Sequence, residues 1–399
     1  MSENGAPRSA GTGPIGAGAM LHLIRDGEAV TRADLARRTG LARSTVAQRV
    51  DALLAHELVY EAGGSESTGG RPPTVLAFNH RAGVVLVADL GATHSRLAVS
   101  DLAGEPLAEV TRDIDIGLGP EAVLEWVQDE FTKMLRKIKR KVDDVRGIGI
   151  GVPGPVAFAT GQPVSPPIMP GWDGFSIPGW FAQHYDVPVL VDNDVNIMAV
   201  GEHWTYWRDT EHLLFVKVGT GIGCGIVAGG HIHRGAQGAA GDIGHIRLTG
   251  HDDVVCRCGN IGCLEAVAGG RALAMKLTEA GIEAKTSRDV VELVRAGNPI
   301  ATRMVREAGR ALGEVLAECV NIFNPSAIII GGDLGQVHEQ LLAGVREVTF
   351  RRSLPLATGE LRTVASQLGD RAGVIGAAIM VLEHVLSADA IDALIQAPA

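Results

Sequence analysis

The period of the apolar positions changes several times along the chain, and the changes divide it. Residues 19–24 are a short apolar run closed by Asp26 and Gly27, which predicts a short helix. Thr31 stands three residues before Asp34, a spacing at which a threonine caps a helix and a carboxylate reaches back toward the first turn. Leu35 and Ala36 continue that helix and Gly40 ends it. Val46, Val50, Leu53 and Leu54 recur at i, i+4, i+7 and i+8, the buried stripe of a second helix over about 43–56. Arg43, Ser44, Thr45, Gln48 and Arg49 fall on its other face. Residues 58–60 and 74–78 read as short strands on either side of a glycine-rich loop. Together these form a winged helix-turn-helix over 18–80, preceded by a tail at 1–17. The polar face of the second helix suits phosphate and base-edge contacts in a major groove. In the loop, Gly69-Gly70-Arg71-Pro72-Pro73 would hold Arg71 on an extended backbone, placed to enter a narrow minor groove. The same patterns also describe an ordinary amphipathic helix pair and a rigid linker with a solvated arginine.

After Asn79 the runs become continuous and β-rich. Residues 84–88 form a buried strand that ends in Asp89-Leu90-Gly91-Ala92-Thr93, and a second strand follows at 97–100. The same grammar returns at 213–218, Gly219-Thr220-Gly221-Ile222-Gly223, and 224–227. Two strand–glycine turn–strand units predict a duplicated α/β body with a cleft between its halves. Glycine turns let backbone N–H groups approach phosphates, and Thr93 and Thr220 add hydroxyls. Each turn alone also fits a plain hairpin. A dinucleotide-binding reading of Gly219-x-Gly221-x-Gly223 fails, because a strand rather than a helix follows and the spacing is wrong. Residues 189–191 lead into Asp192-Asn193-Asp194, where Asp194 could take a proton from a sugar hydroxyl or could simply serve a turn and helix cap. Residues 327–330 and Gly331-Gly332 make a strand and glycine turn suited to a flat adenosine, or to strand-to-helix packing. A Gly/Ala-rich helix is expected at about 372–386, then a weakly organised tail at 387–399. The resulting division is a small lobe over 83–196, completed by that helix, and a large lobe over 197–371.

Composition changes this picture in two places. The net charge is −10, yet residues 1–80 carry eight arginines against eight acidic residues, and 31–56 hold five arginines against two aspartates. A neutral, locally basic head on an acidic body fits DNA contact by the head alone. No stretch reaches the roughly 18 apolar residues of a membrane span, and the start lacks the apolar core of a signal peptide. A cytoplasmic protein without a membrane partner is therefore expected. Three of the five cysteines fall between 256 and 263, which is not a disulfide framework.

Those cysteines carry the sharpest chemical signal. His245, Cys256, Cys258 and Cys263 lie within nineteen residues, with Gly259 and Gly262 permitting a tight knuckle. One imidazole and three thiolates match four-coordinate zinc, with no position left for water. Chance clustering of buried thiols is the alternative. Such a staple would hold Asp242, His245 and Glu265 in fixed register, where carboxylates could accept hydrogen bonds from sugar hydroxyls or remain merely solvated.

The zinc pattern, Cys263-Leu264-Glu265 and Gly241-Asp242-Ile243-Gly244-His245 together resemble the ROK family of sugar kinases and repressors over about 84–384. The resemblance implies an actin-like ATPase fold of two α/β lobes around a cleft. It implies that Asp89, Gly91 and Thr93 meet ATP phosphates and Mg²⁺, and that Gly219, Thr220 and Gly221 form a second phosphate turn. It also implies that Asn193, Asp194, Asp242, His245 and Glu265 hold a sugar, with Asp194 as catalytic base, and that His245, Cys256, Cys258 and Cys263 bind Zn²⁺. Two positions depart from the family's kinases. Asp242 stands where they usually carry glutamate, one methylene longer. Ala92 stands where they commonly have glycine, and its methyl would crowd a phosphate. The expectation is a sugar-responsive repressor that reads an inverted-repeat operator as a homodimer or homotetramer. The competing expectation is an ATP-dependent sugar kinase with a regulatory head.

Overall fold

The computed structural model describes residues 15–63 and 74–396, in two compact units. The first comprises the N-terminal region to Gly83, the turn Asp101–Ala103 and the C-terminal segment from Leu382. It contains helices α1 (Ala17–Arg25), α2 (Arg32–Thr39) and α3 (Arg43–Ala55), then strands β1 (Val59–Ala62) and β2 (Val75–Phe78). Thr31 caps α2 by accepting from the Asp34 N–H at 3.1 Å, and its hydroxyl donates to the Asp34 carboxylate at 2.7 Å. Gly40 ends α2 with φ +69°, a left-handed turn that a side chain would strain. Val46, Val50 and Leu53 of α3 are fully buried with Met20, Leu21, Leu35 and Leu76, while Leu54 is half-buried. The two strands pair antiparallel, Val59 opposite Phe78, as a wing requires. Arg71 and the rest of Gly69–Pro73 lie outside the described residues, as do residues 1–14.

Within the weakly organised tail expected over 387–399, the described residues 387–396 differ from that expectation, and 397–399 lie outside the described residues. Ala388–Gln396 is a helix, and it packs on α1. Gly18 N–H donates to the Asp392 carboxylate at 2.9 Å, and His22 Nε2–H donates to the Leu386 carbonyl at 2.7 Å. The short run Ile391, Leu394 and their polar neighbours is too brief for periodicity alone to announce a helix. Its stability comes from the apolar face it covers.

The second unit holds two five-stranded sheets. The first contains β3 (Val84–Leu90), β4 (Ser95–Asp101), β5 (Pro106–Arg112), β6 (Val145–Val152) and β9 (Val189–Asn193), in the order β5-β4-β3-β6-β9. A small hairpin of β7 (Val156–Ala157) and β8 (Gln162–Pro163) lies between the last two in sequence. The second sheet contains β10 (His212–Val218), β11 (Ile222–Ala228), β12 (His231–Ile232), β13 (Ala327–Gly331) and β14 (Arg362–Ala365), in the order β12-β11-β10-β13-β14. Both sheets thus run third, second, first, fourth, fifth in their own chain order, with the last two additions parallel. This is the duplication that the two strand–turn–strand units predict.

Helix α4 (Pro120–Lys137) buries Val123, Leu124, Val127 and Phe131 in the small-lobe core with α5 (Ile177–Phe181). Helix α6 (Asp194–Tyr206) covers one face of the second sheet. The large lobe's outer layer is α7 (Leu264–Ala268), α8 (Gly270–Glu279), α9 (Ser287–Arg295), α10 (Pro299–Phe323), α11 (His338–Arg352) and α12 (Pro355–Thr358). The last two helices are α13 (Ala372–Val385) and α14 (Ala388–Gln396). Helices α6 and α13 cross at Gly201 and Gly376, where a Cβ would stand 2.3 Å from the Ala372 carbonyl oxygen and 1.6 Å from that of Ile197. The Gly/Ala-rich sequence of α13 is the condition for that crossing. No single helix among the described residues is long and apolar enough to cross a membrane.

Candidate functional site

The strand ends and glycine turns of the second unit converge on one cleft. Asp89, Gly91, Asn193, Asp194, Gly219, Thr220, Gly221, Asp242, His245, Glu265 and Gly332 all line it. Two expected contributors do not. Thr93 is exposed on its turn, and Ala92 and His94 face the cleft in its place. Gly331 is the last residue of β13, packed so closely on the Phe215 ring that a Cβ would stand 2.5 Å from it. Only Gly332, with φ +79°, reaches the cleft.

The two turns are less open to phosphate than their glycines suggest. Gly91 N–H donates to the His94 carbonyl at 2.9 Å, and Gly219 N–H donates to the Gly221 carbonyl at 3.0 Å. The carbonyls of Gly219 and Thr220 accept from Gly270 and Arg271 at the start of α8. Glu265 closes the second turn from the side. Its carboxylate accepts from the Ile222 N–H at 3.1 Å, and a Cβ on Gly221 would stand 2.2 Å from it. Burial holds the Glu265 carboxyl above the usual range, although the Ile222 N–H opposes that shift.

Asn193 and Asp194 divide the roles that sequence leaves open between them. Asn193 is the cap of α6. Its side-chain oxygen accepts from the Val195 N–H at 2.9 Å and its nitrogen donates to the Gly154 carbonyl at 2.8 Å. Asp194 points into the cleft, and its Oδ2 accepts from Lys217 Nζ at 2.5 Å. Sequence reading missed Lys217. Its signal is a lone charge within the otherwise apolar strand β10, a place where lysine is rare unless paired. Asp333 was also missed; its carboxylate accepts from the Ser287 hydroxyl at 2.5 Å. Asp89 is half-buried, and its Oδ1, which is shielded from solvent, has no hydrogen-bond partner among the described residues. Burial pushes its carboxyl up to about 7, against the pull of Lys217.

A second missed pair lies beside Asn193. Asp192, almost wholly buried, accepts from Arg234 Nε at 2.7 Å and from Asn196 Nδ2 at 2.8 Å. Arg234 also lies over the Phe158 ring, 3.7 Å from its centroid. It thereby fastens the segment that leads to Asp242 onto the small lobe.

The four candidate metal ligands meet. One ligand atom from each of His245, Cys256, Cys258 and Cys263 lies within 4.8 Å of all the others. His245 Nδ1 is 3.7 Å from Cys256 Sγ, and Cys258 Sγ is 3.7 Å from Cys263 Sγ. Ligands held tetrahedrally at about 2.0–2.3 Å stand roughly 3.5–3.8 Å apart, so the set fits a four-coordinate ion. Burial and the neighbouring thiols push the Cys263 thiol up to about 12, and a bound cation would supply the charge that thiolates need. The imidazole serves two sides. Nδ1 faces the thiols, while Nε2 lies 3.9 Å from Asp242 Oδ1. Asp242, a short carboxylate and half-exposed, does not close that gap.

Residues 85–384 match the ROK family. The chain belongs to the ROK family. It is 34% identical over 382 residues to a putative xylose repressor of Caldicellulosiruptor sp. (strain Rt8B.4), covering 92% of this chain and 95% of that one. It is 32% identical to the glucokinase of Halalkalibacterium halodurans, covering 74% of this chain and 94% of the kinase. Among solved structures, a ROK family transcriptional regulator homologous to the E. coli MLC protein superposes with a TM-score of 0.79 at 27% identity. That match covers 96% of this chain and 98% of the other. The ROK body is thus the actin-like ATPase fold. The kinase match covers a smaller share of this chain than the repressor match, 74% against 92%.

In this ROK protein the head presents Arg43, Ser44 and Gln48 as exposed residues at the start of α3, with Thr45 and Arg49 half-buried beside them. Ser44 and Gln48 lie opposite the buried stripe, while Arg49 flanks it with its Nη1 buried.

Proposed function

We propose that this ROK protein is a transcriptional repressor whose cleft binds an aldose, and that the bound sugar lowers its affinity for operator DNA. The observation that carries the reading is the pairing, in one chain, of a winged helix-turn-helix with exposed Arg43, Ser44 and Gln48 and a cleft lined by hydrogen-bonding side chains. Arg71 would add a minor-groove contact from the wing. Asn193, Asp194, Asp242, His245 and Glu265 hold the sugar hydroxyls. His245, Cys256, Cys258 and Cys263 hold a structural Zn²⁺, which fixes His245 Nε2 and Glu265 toward the cleft. The protein acts in the cytoplasm as a homodimer or homotetramer on an inverted-repeat operator, because paired heads need paired half-sites. D-xylose is the first sugar to try, given the repressor it resembles.

The test is an electrophoretic shift of a DNA fragment from the gene's own upstream region at low salt, with and without D-xylose, D-glucose or N-acetylglucosamine. A retarded band that one sugar abolishes supports the reading. No shift with any upstream fragment overturns it. A sugar-kinase reading has one observation in its favour, the orphan Asp89 oxygen beside Asp194, which suits a magnesium-bound nucleotide. ADP release that depends on added sugar would establish it.

A further inference from the structure

The floor of the cleft is a cluster of charge around Lys217. The residue sits on β10 between Gly223 of β11 and Gly331 of β13, so no neighbouring side chain in the sheet competes with it. Its ammonium is 2.5 Å from Asp194 Oδ2, with side-chain exposures of 23% and 8%. Asp89 and Asp333 line the same cleft, and both act on the ammonium electrostatically. One lysine cation thus stands among three carboxylates.

Phosphoryl transfer makes two demands at such a place. A carboxylate must have an oxygen ready for the hydroxyl proton, and a divalent cation held by carboxylates must neutralise the triphosphate. Lys217 works against both. Its Nζ–H already donates to Asp194, and its fixed charge stands where the carboxylates would otherwise attract a divalent ion. The Gly91 and Gly219 amides are bonded within their own turns, which removes two further phosphate donors. The residues therefore fit a sugar better than they fit magnesium and ATP.

We propose that Lys217 is a resident counter-ion that takes the place of the divalent cation and occupies Asp194, so that the cleft binds an uncharged monosaccharide and releases it unchanged. This rests on reading the cleft as an effector site. It makes sugar affinity independent of nucleotide.

The experiment uses the zinc-loaded full-length protein. Free Mn²⁺, a probe for Mg²⁺, is titrated by electron paramagnetic resonance into wild type, K217M and K217M/D89N, and ADP release with MgATP is followed with D-xylose, D-glucose and N-acetylglucosamine. The expected result has three parts. Wild type releases no sugar-dependent ADP, K217M binds Mn²⁺ at least tenfold more tightly than wild type, and D89N abolishes the gain. Sugar-dependent ADP release by wild type overturns the proposal, as does a folded K217M with no gain in Mn²⁺ affinity. K217Q replaces K217M if the latter does not fold. Should neither fold, calorimetry on wild type decides: equal affinity for D-xylose with and without MgATP supports the proposal, and a requirement for MgATP overturns it. Turnover by a protein that still releases DNA with sugar would sink this proposal alone. Absence of any DNA shift would sink the repressor reading alone.

Discussion

Replacing Arg234 by methionine should loosen the cleft without touching its sugar-binding side chains. Asp192 has a side-chain exposure of 3% and Arg234 of 23%. In the variant Asp192 Oδ2 loses its donor, while Oδ1 keeps the Asn193 N–H at 2.7 Å and Asn196 Nδ2 at 2.8 Å. Breaking a buried pair by removing one partner costs about 3–5 kcal/mol. The two surviving bonds and the partial exposure of Arg234 place this case at the lower end, about 3 kcal/mol. Loss of the contact with Phe158 adds about 0.5–1 kcal/mol. For a body of this size that corresponds to a fall in Tm of roughly 5–10 °C, read by tryptophan fluorescence during heating. Asp192→Asn should be harmful alone, yet should recover part of the loss when combined with Arg234→Met, because the uncompensated charge is gone. The double-mutant cycle measures that coupling. A fall in Tm under 2 °C for Arg234→Met, or strict additivity of the two changes, would refute the latch.

Four further outcomes follow from the same geometry. Gly221→Ala should displace the Glu265 carboxylate, since the new methyl would stand 2.2 Å from it; calorimetry should show sugar affinity at least tenfold weaker with DNA binding intact. Cys263→Ser, or prolonged chelation, should release one equivalent of zinc per chain by metal analysis and lower the Tm, with sugar affinity falling because His245 loses its anchor. Truncation after Leu386 removes the Asp392 bond to Gly18 and the helix over α1; the head should then unfold at lower denaturant and bind operator weakly, as judged by hydrogen exchange of α1–α3 and by gel shift. Asp89 has its carboxyl raised from 3.8 to about 7 in the folded state, so the folded protein binds more protons than the unfolded chain between those values. Its contribution to stability is therefore fully present below about pH 4 and is lost as pH rises through about 7; Asp89→Asn should flatten that part of the Tm-against-pH profile and raise Tm at pH 8.

What sequence made legible was what is local in the chain. The four candidate metal ligands lie within nineteen residues, and glycine turns announce themselves by composition, so both could be located before the fold was known. The cap at Thr31 and the stripe of α3 are likewise short-range patterns. Contacts made by folding were not legible. Lys217 and Asp194 are 23 residues apart and Arg234 and Asp192 are 42 apart, and no spacing rule links them. Gly331 and Gly332 adjoin in sequence but diverge in space, because one faces Phe215 and the other the cleft. Thr93 lost its expected place to His94 since the turn after β3 is closed by the Gly91 hydrogen bond. His94 is mostly buried, and burial shifts its imidazole toward the neutral form. The C-terminal helix was hidden for another reason: its partner is α1, at the opposite end of the chain.

Occupancy of the cleft should govern DNA binding, and one titration decides whether it does. Labelled operator bound to full-length protein is followed by fluorescence anisotropy while the sugar that calorimetry shows to bind is added. Saturating sugar should weaken operator affinity at least tenfold, a coupling of about 1.4 kcal/mol, and Glu265→Gln should bind operator normally but no longer respond. Sugar that saturates the cleft in calorimetry while leaving operator affinity unchanged would contradict it.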